Sequence, residues 1–264
     1  MLYSPQNNIK ITPDMTEQHD IKKAVKQHCE MENFFSGGFA IKKVYGHQDE
    51  EICETETIES TEFANDNSAE LRKIADEVKK CTKCELCATR TNTVPGNGNP
   101  NAKIVFVGEA PGADEDAQGI PFVGRAGKLL TDIISAMGLK REDVFICNIL
   151  KCRPPENRDP KAEEIIKCMG YLQKQLEIIC PEMIIALGAH AARTLLNTEE
   201  AIGKLRGRFH DYQTCTDSKP IKVMPTYHPA YLLRNYSKDN RTRVWDDMKK
   251  VMAEIGLSVP KKSK

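Results

Sequence analysis

Four short apolar runs rich in β-branched residues punctuate the chain, at positions 104–107, 144–150, Met183–Leu187 and Ile221–Thr226. Their apolarity is continuous rather than alternating, which marks strands covered on both faces, as in a parallel sheet. Helical periods fill the intervals. Positions 126–137 place Leu129, Leu130, Ile133, Ile134 and Met137 on one face. Pro160 opens a helix that carries Cys168 and extends to about position 179. Gly188 leads into a short helix, Ala189–Leu196, and a last helix over 240–255 bears the stripe Val244, Met248, Val251 and Met252. Upstream, Ser68 is an N-cap for a helix whose stripe is Leu71, Ile74, Ala75 and Val78. Strands alternating with helices through short links predict an α/β fold, a parallel sheet sandwiched between helices.

The first 68 residues break this pattern, with scattered apolar positions and little sustained period. A short helix over 19–31 is expected, and the acidic Thr/Ser-containing run at 50–62 is expected to stay disordered. Cys29 and Cys53 have no paired neighbour there. The 264 residues therefore divide into an N-terminal extension, 1–68, and a body, 69–264. Charge divides at the same place. The extension has 6 basic and 13 acidic residues, net −7, and the body 32 and 25, net +7, so the overall zero conceals a basic body suited to a polyanionic partner. No apolar run approaches a membrane span and the first residues do not form a signal peptide, so a cytoplasmic protein is expected. Ten cysteines in such a protein indicate metal or reduced thiols rather than disulfides.

The stretch 108–124, GEAPGADEDAQGIPFVG, joins the first strand to a helix and so lies at the carboxyl end of the sheet, where open α/β folds bind ligands. Its glycines and two prolines fix a backbone path, Glu109, Asp114, Glu115 and Asp116 supply carboxylates, and Phe122 supplies an aromatic face. Four acids would repel phosphate, and neither a P-loop ending nor GxGxxG is present. The choice is between a sharp turn with solvated acids and a pocket for something flat and neutral; the pocket is the better reading. A parallel sheet brings two further segments to that edge. Asn148 ends the second strand and can read an amide edge with one acceptor and two donors. His228 follows the fourth strand and can donate where negative charge develops, although a lone His before Pro is commonly just capped and exposed. Separately, Cys81 and Cys84 form CxxC, a metal-ligand spacing that two thiolates alone do not complete; Cys87 could be a third.

The segments GEAPGADEDAQGIPFVGRAG, NILKCRPPENRDP and PTYHPAYLLRN resemble the motifs of family 4 uracil-DNA glycosylases, the iron–sulfur branch of that superfamily. The resemblance runs in order from about position 71 to 255 and leaves out the extension. It implies a three-layer α/β/α sandwich with a central four-stranded parallel sheet, and a [4Fe–4S] cluster on Cys81, Cys84, Cys152 and Cys168. Cys87, Cys147, Cys180 and Cys215 are then free thiols; four cysteines would also accept zinc chemically, so the cluster rests on resemblance. It further implies a monomer acting on uracil-containing DNA, flipping the base out and hydrolysing its glycosidic bond. Phe122 would be the stacking floor, Asn148 would read the uracil edge, and the backbone of Glu109 and Ala110 would line the pocket. His228 would stabilise the departing anion, and a loop acid would hold the water, with Glu115 matching better than Asp114 or Asp116. Glu109, next to the first loop glycine, implies narrow uracil specificity, and the histidine-free segment 154–160 implies turnover rather than covalent trapping. Leu232 would be the intercalating wedge, with Arg234, Lys151, Arg153 and Arg158 on phosphates. The rival is a non-catalytic iron–sulfur DNA-binding module accompanying a polymerase, which leaves Asn148, Phe122 and His228 together unexplained.

Overall fold

A computed structural model describes residues 67–214 and 219–259. The expected helix over 19–31, the acidic run at 50–62, Cys29, Cys53 and Cys215 lie outside them.

The four apolar runs form the strands β2 (Ile104–Gly108), β3 (Phe145–Asn148), β4 (Met183–Leu187) and β6 (Ile221–Thr226), ordered β3-β2-β4-β6 and parallel throughout. The expected central sheet is therefore present. Two antiparallel edge strands extend it, β1 (Asn97–Gly98) on β3 and β5 (His210–Tyr212) on β6. At two and three residues they are too short to print a period, and β1 sits in a turn-rich stretch. A Cβ at Gly98 would overlap the Val144 carbonyl, so this approach of β1 to β3 needs glycine, which also accepts its φ of +137°. The strand read at 144–150 ends earlier, at Asn148, yet Ile149 and Leu150 still donate to Gly108 and Glu109 carbonyls, continuing the ladder into the loop.

Alternate residues of each strand feed opposite cores, which makes three layers. On one face Phe106, Ile146, Ile185 and Met224 pack against α3 (Arg125–Ala136) and α8 (Lys238–Glu254). On the other, Val105, Val107, Ile184 and Val223 meet α4 (Ala162–Ile179) and α5 (Ala189–Leu196). Each fully buried aliphatic side chain contributes roughly 1.5–3 kcal/mol. A third, smaller cluster places Ile74 and Val78 of α1 (Asn67–Lys79) beside Leu86, Leu150 and Tyr171. Three short helices were not legible as such: α2 (Ala113–Gln118) within the glycine-rich stretch, α6 (Ile202–Leu205), and α7 (Pro229–Arg234). None is long enough to show an amphipathic stripe. The chain leaves β2 for β3 on one side and reaches β4 on the other, so a switch point opens between β2 and β4 at their carboxyl ends. No helix of the described residues is long and apolar enough to cross a membrane.

Candidate active site and metal centre

At that switch point a pocket of about 260 Å³ is lined by Glu109, Ala110, Glu115, Phe122, Asn148 and His228, among others. Three segments distant in sequence meet there. Asn148, 1% exposed, ends β3, and its Oδ1 is buried with no hydrogen-bond partner among the described residues. Such an orphan acceptor costs roughly 1–3 kcal/mol, which a ligand N–H would recover. Space for the amide comes from Gly108, where a Cβ would overlap Asn148 Oδ1 and approach the Phe122 ring to 2.7 Å. Phe122 is 7% exposed and lies with its ring centroid 5.6 Å from that of His228. Its φ of +52° is unfavourable for an aromatic residue. That conformation is held from both sides. Val123 and Gly124 N–H groups donate to Glu115 Oε1, and Gly127 leaves room for the Phe122 carbonyl, which a Cβ would overlap.

Glu115 also accepts from Gly112 N–H through Oε2 at 3.0 Å. Three backbone donors thus occupy its carboxylate, which staples the loop while lining the pocket; roughly one of its four acceptor positions remains. His228 accepts from Ala230 N–H at Nδ1, 3.1 Å away, so the neutral ring carries its proton on Nε2. Burial, aided by the Arg234 charge, pushes its pKa down to about 4. Burial likewise raises the pKa of Glu109, with His190 and Arg234 opposing and Asp159 reinforcing.

His190 follows Gly188 at the end of β4 and was not singled out from the sequence; its position after a strand-terminal glycine is the signal that could have found it. It stands 3.6 Å from Asp159, and Glu109, Asp159 and His190 bring one ligand atom each within 4.8 Å, a set able to hold a divalent cation.

Two expected DNA contacts, Leu232 and Lys151, are corrected by burial. Leu232 is 1% exposed and packs into the core between sheet and helices, so it is not a wedge on the surface. Tyr231 and Leu233 of α7 are the half-buried apolar side chains there. Lys151 is 1% exposed and bonds Asn148 O and Gln175 Oε1, out of reach of a phosphate. Arg158, partly exposed and at the pocket wall, is held by a fork onto the Glu164 carboxylate. Arg234 is exposed at the pocket rim, and Arg153 donates to Asn157 Oδ1 at 2.8 Å from a half-buried position.

In a separate cavity Cys81, Cys84, Cys152 and Cys168 come together, with Cys87 also on its lining. Among the described residues no three of these sulfurs lie within 4.8 Å of one another. Four thiols on one cavity are a donor set that zinc or an iron–sulfur cluster accepts. Arg90 donates to Cys152 Sγ at 3.1 Å and Lys151 N–H to Cys168 Sγ at 3.3 Å. Burial outweighs Arg90 and pushes Cys152 up to about 11, so without a metal this thiol stays protonated at neutral pH.

A family model described as uracil DNA glycosylase superfamily matches residues 95–249. The chain belongs to this superfamily. A type-4 uracil-DNA glycosylase of Archaeoglobus fulgidus is 47% identical over 194 residues, 72% of this chain and 96% of that protein. One from Saccharolobus solfataricus is 51% identical over 183 residues, 67% of this chain and 83% of that protein. These identities place the chain in the type-4 branch of the uracil DNA glycosylase superfamily. A DNA polymerase of Bacillus phage SP01 matches at 33% over 140 residues, 53% of this chain but 14% of that protein. The superfamily match takes in every pocket side chain named above and Cys152 and Cys168, while Cys81, Cys84 and the region before position 95 fall outside it.

Proposed function

We propose that the protein excises uracil from DNA: it receives the flipped base in the Phe122–Asn148–His228 pocket and hydrolyses the N-glycosidic bond, leaving an abasic site. The observation that carries this reading is the unpartnered, fully buried Asn148 Oδ1. Uracil N3–H would satisfy it, with O4 offered to the amide donors. Cytosine presents an acceptor at N3 and a donor at C4, leaving buried groups unpaired, a mismatch that discriminates strongly. Phe122 would stack on the ring.

In the bond-breaking step water oxygen bonds to the sugar C1′ while the C1′–N1 pair leaves with the base. The Nε2–H of neutral His228 would donate to the O2 side of the uracil anion as charge develops there. The remaining acceptor position of Glu115 would orient the water, and Glu109 would add negative charge beside the oxocarbenium-like sugar. Water loses a proton to solvent and the uracil anion gains one. Arg153 and Arg234 would hold flanking phosphates.

Cys81, Cys84, Cys152 and Cys168 would hold a [4Fe–4S] cluster, supported by their shared cavity and by the motif resemblance to the iron–sulfur branch. Bound there, it supplies a covalent tie between the segment after α1, the end of β3 and α4. The body would act in the cytoplasm as a monomer, with the acidic extension outside the chemistry. A non-catalytic module accompanying a polymerase would have no use for a strained Phe122 against an orphaned Asn148. Incubation with an oligonucleotide containing one uracil tests the proposal. Release of free uracil and an alkali-labile site is expected, with no release from the matching thymine or cytosine strand; binding without release would refute it.

A further inference from the structure

At the end of β3 the chain passes from the pocket to the thiol cavity within four residues, Asn148 to Cys152. Lys151 lies between them and turns inward. Its amino group donates to the Asn148 carbonyl at 2.9 Å and to Gln175 Oε1 at 2.7 Å. Gln175, buried on α4, donates through Nε2 to the Pro95 carbonyl at 2.8 Å. The Lys151 main chain is held as well, its carbonyl accepting from Val94 N–H at 2.8 Å.

A buried amine is costly unless its protons find acceptors, and an apolar side chain would fill the same space without that demand. Filling therefore does not account for Lys151. What it grips is the carbonyl of the residue whose own Oδ1 has no hydrogen bond. With nothing anchoring Oδ1, the carboxamide's place in the pocket depends on its main chain and on the gap left by Gly108.

We infer that Lys151 is a positioning residue for base recognition: the Pro95–Gln175–Lys151 chain fixes the Asn148 main chain and thereby sets the reach of its carboxamide into the pocket. The inference rests on Asn148 reading the base, as proposed above. It also gives the thiol side of the molecule a route to the pocket, because Lys151 N–H meets Cys168 Sγ.

The test is equilibrium binding of free uracil to the full-length, iron-loaded protein, with iron content and melting temperature recorded for each variant. Lys151→Met should keep its iron and bind uracil about tenfold more weakly, the scale of one lost hydrogen bond. Gln175→Met should weaken binding in the same direction. In an Asn148→Ala background Lys151→Met should add no further loss, because its effect passes through Asn148. Unchanged uracil affinity in an iron-loaded Lys151→Met protein overturns the inference. So does an equal loss in both backgrounds, which would mean a general effect on the fold. Should Lys151→Met not fold, Gln175→Met, alone and with Asn148→Ala, decides by the same two criteria. If Asn148→Ala alone binds uracil normally, the base-reading assignment itself fails; if only the Lys151 and Gln175 variants bind normally, that assignment stands and this inference falls.

Discussion

His228 is kept neutral by its surroundings and oriented by one hydrogen bond, and both facts bear on what pH does to the protein. Its pKa lies near 4, below the ordinary histidine value of about 6.5. As pH falls from 6.5 toward 4 the unfolded chain takes up this proton first, so the stability associated with neutral His228 is present above that window and drains within it. Melting temperatures across pH 4 to 7 should therefore fall less steeply for His228→Gln than for the parent. Parallel curves would show that His228 is not held neutral. Phe122→Ala should weaken capture of the flipped base by roughly 1–3 kcal/mol, read as a raised half-saturation in single-turnover kinetics. These residues were legible because each brings a distinct chemistry to the end of a strand. Glu115 was legible as a pocket acid but not as the loop's staple, since its three backbone donors at 112, 123 and 124 depend on a fold of the loop that no period announces.

Among the elements, α7 shows where sequence reading stops. Four sheet-centre strands and the long helices declare themselves through continuous or 3.6-residue apolar patterns. In the six-residue α7, Leu232 and Leu233 are chemically alike in sequence, and only packing decides that Leu232 enters the core while Leu233 stays half-buried. The same limit applies to Lys151, a basic residue whose burial beside Gln175 comes from the packing of α4 under β3. Leu232→Ala should thus cost about 2–5 kcal/mol of folding stability as a core deletion. Leu233→Ala should instead leave the melting temperature nearly intact and weaken binding to uracil duplex. A reversal of these two outcomes, read by thermal melts and by duplex titration, would return Leu232 to the surface. On the loop, Gly127→Ala should displace Phe122 and weaken uracil capture, because its methyl would overlap the Phe122 carbonyl.

For the molecule as a whole, the sheet places base pocket and thiol cavity at opposite ends of one short segment, 148–152, so loss of one is expected to be felt at the other. Purified protein should be brown, with a broad absorbance near 400 nm that bleaches on reduction, and Cys81→Ala, Cys84→Ala, Cys152→Ala or Cys168→Ala should lose both colour and stability. Colourless protein with stoichiometric zinc would overturn the cluster. A fragment starting near Ser68 should excise uracil at close to the full-length rate, since the pocket and the thiol cavity are built from residues beyond that point. The most direct measurement of the central claim is single-turnover excision from a uracil-containing duplex by the parent protein and His228→Ala, with duplex affinity measured alongside. The parent should release uracil, and the variant should do so roughly two to three powers of ten more slowly at unchanged affinity, the loss expected for one donor to a developing anion. A parent that binds the duplex and leaves its uracil in place, or a variant that cleaves at the parental rate, would contradict the account.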